Sequence, residues 1–118
     1  MRRIFKNLGI LFLVCYLLYG MPSMIMAQED EPLVYTVNIE KTVTAGTYQH
    51  VNRAIKMAEE YNADAVVIQL NTPGGLVNAT LDIIKVISET DIPVITYVTP
   101  KGSIAASAGT FILITGHV

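Results

Sequence analysis

Ala65-Val66-Val67-Ile68-Gln69-Leu70 is a short, almost unbroken apolar run that stops at Asn71-Thr72-Pro73-Gly74-Gly75. A β-branched run of this length with one polar member is the pattern of a strand buried on both faces of a parallel sheet. Parallel neighbours cannot be joined by a tight turn. They need crossover connections, which are normally helical. The flanks of the run can be read for those crossovers.

Upstream, Leu33 to Glu40 alternates, with Leu33, Tyr35, Val37 and Ile39 on one face, and predicts a half-buried first strand. Lys41 to Gly46 reads as a turn. From Thr47 the period changes. Val51, Ala54, Ile55, Ala58 and Tyr61 make one stripe of an amphipathic helix, with the Thr47 hydroxyl as its cap. His50 falls on the wet side with Arg53, Lys56 and Glu60, where a histidine needs no catalytic explanation. Downstream of the central run, Leu76, Ala79, Ile83, Val86 and Ile87 form a second stripe. Thr90-Asp91-Ile92-Pro93 ends it, and Val94 to Val98 predicts a third strand. This alternation specifies an α/β fold, a parallel sheet with right-handed crossover helices.

Residues 1–27 stand apart. Arg2, Arg3 and Lys6 precede an apolar stretch from Leu8 to Tyr19, and Met24-Ile25-Met26-Ala27 is followed by polar Gln28-Glu29-Asp30-Glu31. That is the layout of a secretory signal peptide cleaved after Ala27, and the apolar stretch is shorter than the roughly 20 residues a membrane span needs. Residues 28–32 read as a flexible acidic lead-in and 33–118 as the folded domain. Removing 1–27 leaves 5 basic residues against 10 acidic ones, a net charge of −5 that argues against a nucleic-acid partner. Cys15, the only cysteine, leaves with the signal. No disulfide and no cysteine-based metal site is then expected, and neither a metal nor a cofactor is called for. The apolar end, Phe111 to Val118, has no polar tail, which predicts a truncated domain.

Two loops can carry chemistry. Ser107 lies past the third strand within Ala105-Ala106-Ser107-Ala108-Gly109, where small neighbours suit a nucleophile that must approach a carbonyl closely. The same five residues also suit a closely packed helix start. Thr72-Pro73-Gly74-Gly75 ends the preceding strand and reads in two ways. It fits a type II turn, or a backbone whose N–H groups meet a developing oxyanion together with the N–H of Ala108. Both loops follow carboxyl ends of strands, where such sheets bind ligands, and the pairing favours chemistry. Ser103 is a second hydroxyl candidate, but Ile104 crowds it and it reads as a helix N-cap. Asn78-Ala79-Thr80 matches a glycosylation sequon, yet it falls inside a helix.

Ala63 to Leu76, Ile92 to Val98 and Ala105 to Thr110 together resemble the front half of an NfeD-type membrane-bound serine protease. That family belongs to the ClpP/crotonase superfamily and is related to signal peptide peptidase A; the resemblance covers Val34 to Val118. It implies a Ser–Lys endopeptidase with Ser107 as nucleophile and Gly74, Gly75 and Ala108 around the oxyanion. It also implies cleavage of hydrophobic segments, including those of stomatin/prohibitin-type membrane proteins, and membrane attachment through helices beyond Val118. Further copies of the chain are expected partners, at the extracytoplasmic face of a membrane.

The family's lysine comes beyond Val118. A catalytic lysine must be desolvated to lose its proton near neutral pH, and Lys41, Lys56, Lys85 and Lys101 fall on polar positions or in loops. His117 sits where the family has a structural histidine, and along a continuous helix it would lie about 15 Å from Ser107. The alternative to a peptidase is an inert fragment or a peptide-binding remnant of the same fold. A crotonase-like acyl-CoA enzyme fits poorly with an export signal and leaves Ser107 without a task.

Overall fold

The computed structural model describes residues 1–19 and 31–118, which form two separate units. The cleavage point at Ala27 and most of the acidic lead-in lie outside the described residues. In the first unit, α1 runs Arg2–Tyr19 and carries exposed Cys15. Among the described residues no helix is long and apolar enough to cross a membrane.

The second unit follows the order β1 (Val34–Glu40), α2 (Ala45–Glu60), β2 (Ala65–Asn71), α3 (Val77–Glu89), β3 (Val94–Val98), α4 (Ala108–Thr115). The strands form one parallel sheet in the order β1-β2-β3, so each pairs with the next in sequence. Val37 lies opposite Ile68, and Ile68 opposite Thr96. When successive crossovers in a sequential sheet share one hand, their helices fall on one side. Packing agrees: α2 lies on β1 and β2, α4 on β3 and β2, and α3 contacts both α2 and α4.

The core lies between that side of the sheet and the helices. Val37, Ile39, Val66, Ile68, Leu70 and Val94 meet Val51, Ile55, Ile83, Ile87 and Ile112, all essentially inaccessible. Each such aliphatic side chain contributes roughly 1.5–3 kcal/mol on burial. The opposite side of the sheet departs from the sequence expectation. Val67 and Gln69 on β2 are only half-buried, Thr36 and Asn38 are exposed, and Gln69 Nε2 donates to the Tyr97 hydroxyl at 2.8 Å. Among the described residues of 31–118 the helices lie on one side, so β2 is covered there on one face, not two.

Other local expectations shift by a few residues. Helix α2 starts before Thr47, because Thr44 is the N-cap and Thr47 closes a reciprocal capping box with it. Tyr61 is the exposed C-cap of α2 and not the last residue of its buried stripe. Thr80 joins Ala79, Ile83 and Ile87 on the buried side of α3, since its hydroxyl donates to the Leu76 carbonyl at 2.8 Å. That places the sequon threonine inside the fold.

Candidate active site

The glycine loop after β2 and the serine loop after β3 are joined backbone to backbone. Thr72 and Ala105 form a parallel bridge: Thr72 N–H donates to Ile104 O at 2.8 Å, and Ala106 N–H donates to Thr72 O at 3.0 Å. A second bridge holds the far side of the glycine loop. Val43 pairs with Gly75, with Val43 N–H donating to Gly74 O at 2.8 Å and Leu76 N–H to Val43 O at 2.9 Å. The Thr72-Pro73-Gly74-Gly75 stretch is therefore clamped between Val43 and the serine loop.

Both glycines are required sterically. Gly74 has φ +119°, a conformation that side chains rarely adopt, and a Cβ there would lie 2.8 Å from Ser107 Cβ and 3.2 Å from its Oγ. At Gly75 a Cβ would collide with the backbone of Val43. The positive φ of Gly74 after Pro73 keeps the turn expected of this stretch, but the Thr72 carbonyl is taken by Ala106 N–H, and the local bond runs instead from Gly74 N–H to Thr72 Oγ1 at 3.1 Å.

Ser107 occupies φ 51°, ψ −117° immediately before α4. A non-glycine residue there stores on the order of 1–3 kcal/mol, and such strain collects at functional sites. The consequence is geometric: the chain turns sharply into a helix and leaves Ser107 exposed while Ala108 and Gly109 behind it are buried. Among the described residues, no hydrogen bond within the protein uses the N–H of Gly75 or of Ala108. Ala108 is the first residue of α4, so its N–H also belongs to the positive end of that helix.

Beside Ser107 opens a groove of about 270 Å³ lined by Gly75, Val77, Thr80, Leu81, Ile84, Ser107, Ala108 and Phe111. Its walls are the exposed flank of α3 and the first turn and a half of α4, and they carry no charged residue. The arrangement combines a hydroxyl, two backbone donors and an apolar recess, the components of acyl transfer from an apolar peptide.

The remaining candidates are placed elsewhere. Ser103 is not a helix N-cap; its N–H closes a turn onto Pro100 O at 2.9 Å, and α4 starts only at Ala108. Helix α4 stops at Thr115, because Gly116 packs against the Thr96 side chain and the chain turns back to β3. His117 N–H then donates to Val94 O at 2.8 Å, and its Nδ1 accepts from Val94 N–H at 3.2 Å. The imidazole is committed to the sheet. Lys41, Lys56, Lys85 and Lys101 are exposed, none lines the groove, and Lys85 faces Glu89 at 3.9 Å. Among the described residues no cluster of His, Cys, Asp or Glu is arranged to hold a metal.

Sequence reasoning missed Leu81, Ile84 and Phe111 as groove walls and Thr72 as the junction of the two loops. Nothing in their local pattern separates them from ordinary core and turn residues. Only the approach of α3 to α4 brings the walls together.

Similarity to known proteins follows the same boundaries. The chain is 44% identical over 86 residues to the membrane-bound protease PH1510 of Pyrococcus horikoshii, covering 73% of this chain and 20% of that protein. It is 36% identical over 86 residues to membrane protein NfeD1b of Bacillus subtilis strain 168, covering 73% and 19%. The chain thus spans about one fifth of the length of these curated relatives. Among solved structures, the 1510-N membrane-bound stomatin-specific protease, a serine-to-alanine variant, superposes with a TM-score of 0.71 at 42% identity, covering 75% of this chain and 42% of that one. A lysine-to-alanine variant of 1510-N in complex with a substrate peptide gives 0.70 at 44% identity, covering 74% and 40%. ClpP1 from Listeria monocytogenes gives 0.63 at 26% identity, covering 69% and 46%, so the fold is that of ClpP-like proteases. Residues 33–117 match the family described as NfeD1b, N-terminal domain, and the chain belongs to that family.

Proposed function

We propose that this chain carries the nucleophile and oxyanion site of a membrane-associated serine endopeptidase that cleaves hydrophobic peptide segments. The observation that carries the reading is the strained, exposed Ser107, which lines one apolar groove together with Gly75 and Ala108, whose N–H groups make no hydrogen bond among the described residues. Ser107 Oγ attacks the peptide carbonyl and its proton passes to a lysine amine. The carbonyl oxygen becomes negative and accepts from the two N–H groups. Collapse expels the new amino terminus, which takes the proton back from the lysine, and water then releases the acyl group from Ser107. The lysine that the family resemblance implies lies beyond Val118, and the resemblance to 1510-N, a stomatin-specific protease, supports a stomatin-type substrate. Export by residues 1–27 and action at the extracytoplasmic face belong to the same reading. So do assembly with further copies and attachment to the membrane.

A second reading, capture of hydrophobic peptides without hydrolysis, is favoured by one observation: the four lysines of 33–118 all lie away from the groove. One experiment separates the two. A serine-directed acylating probe is expected to label Ser107 in the full-length protein and to lose that label in Ser107→Ala. Absence of label on the full-length protein, with a hydrophobic peptide still bound, would establish the second.

A further inference from the structure

Thr72 is completely buried, and its backbone, its hydroxyl and its methyl reach three different segments around Ser107. Its N–H and carbonyl bond to Ile104 O and Ala106 N–H, on the serine loop. Its hydroxyl accepts from Gly74 N–H at 3.1 Å and lies 3.2 Å from Gly74 O, to which it can donate, on the glycine loop. Its Cγ2 occupies the space above Gly109, where an added Cβ would come within 2.7 Å of it. Gly109 belongs to the first turn of α4, the helix that presents the Ala108 N–H.

We infer that Thr72 is a positioning residue for the reaction proposed at Ser107. It holds the glycine loop and the start of α4 at the one separation in which the Gly75 and Ala108 N–H groups serve the same oxygen. The inference rests on the Ser107 reading and adds to it a residue that touches no substrate. The hydroxyl orients the Gly74–Gly75 peptide, whose N–H is one of the two donors. The methyl and carbonyl set the depth of Gly109 and Ala106, between which Ser107 and the second donor are carried. A negative oxygen develops only in the transition state, so an error in this separation is felt in kcat more than in KM. A residue that served stability alone would lower the amount of folded enzyme and leave the kinetics of the folded fraction unchanged.

The test uses the full-length protein and a hydrophobic peptide, with kcat and KM measured per labelled active site. Thr72→Val keeps the methyl and the shape but removes the hydroxyl, and is expected to lower kcat roughly ten- to hundredfold with KM within about twofold. Thr72→Ser restores the hydroxyl and is expected to recover most of that loss. Should Thr72→Val fail to fold, a double-mutant cycle answers the same question. Gly109→Ala alone meets the Thr72 methyl and should depress kcat, while Thr72→Ser with Gly109→Ala removes the obstruction and should regain it. An unchanged kcat in folded Thr72→Val, or a Gly109→Ala effect identical in both backgrounds, would overturn the inference. Failure of the Ser107 reading itself looks different: the unaltered protein would show neither labelling nor hydrolysis, and the positioning role would fall with it.

Discussion

The α-carbon of Gly74 faces the side chain of Ser107 with no room between them for a methyl group, since a Cβ at Gly74 would stand 2.8 Å from Ser107 Cβ. The serine's position is thus defined from the neighbouring strand end as well as from its own loop. Gly74→Ala both strains a φ of +119° and displaces the hydroxyl. We expect labelling of Ser107 to fall by at least about a hundredfold, and stability to drop by roughly 1–3 kcal/mol. Probe kinetics and denaturant titration read the two effects separately.

The backbone strain at Ser107 has an opposite signature. Glycine relaxes at φ 51° where serine and alanine do not. Ser107→Gly and Ser107→Ala should both abolish labelling, and Ser107→Gly should be the more stable of the pair by about 1 kcal/mol. Thermal unfolding of the two variants side by side decides it; equal midpoints would remove strain from the account.

His117 gives a prediction about what is not catalytic. Its Nδ1 accepts from Val94 N–H, a role that the side-chain oxygen of asparagine can fill. His117→Asn should keep the Ser107 labelling rate, while His117→Ala should lose about 1 kcal/mol of stability, with the labelling rate of the folded fraction unchanged. A labelling rate abolished in His117→Asn would instead make the imidazole a base.

Leu81 lines the groove beside Ser107, and under the proposed peptidase reading it limits the side chain that fits beside the scissile carbonyl. Leu81→Trp narrows the recess, and should shift preference from leucine or phenylalanine towards alanine at that substrate position by roughly tenfold in kcat/KM. A matched peptide series measures this directly. No change in preference would place the substrate side chain elsewhere.

Much of this arrangement was legible before any coordinates. The run Ala65–Leu70 ending in Thr-Pro-Gly-Gly, followed one strand later by Ala-Ser-Ala-Gly, brought both loops to the same sheet end. The physical reason is that parallel strands joined by helical crossovers all point one way. What periodicity misjudged was coverage: the apolar composition of β2 implied two buried faces, while Val67 and Gln69 lie half-open beside a Gln69–Tyr97 hydrogen bond. Helix ends were also misplaced. Thr44 and Thr47 share one capping box, and composition cannot say which of two threonines three residues apart is the cap. Thr72 was read only as part of the Thr-Pro-Gly-Gly stretch, because the partners of its backbone and methyl lie 32 to 37 positions away, at Ile104 to Gly109, a separation no local pattern reports.

The bridge between Thr72 and Ala105 also dictates an order of events during synthesis. The sequential strand order lets β1, α2 and β2 assemble as they emerge, but Gly75 precedes Gly109 by 34 residues. At roughly 5–20 residues per second, the glycine loop waits a few seconds on the ribosome before its serine partner exists. Through that interval the nascent chain holds the glycine loop without Ser107, so the two halves of the proposed nucleophile and oxyanion site meet only once α4 has been made.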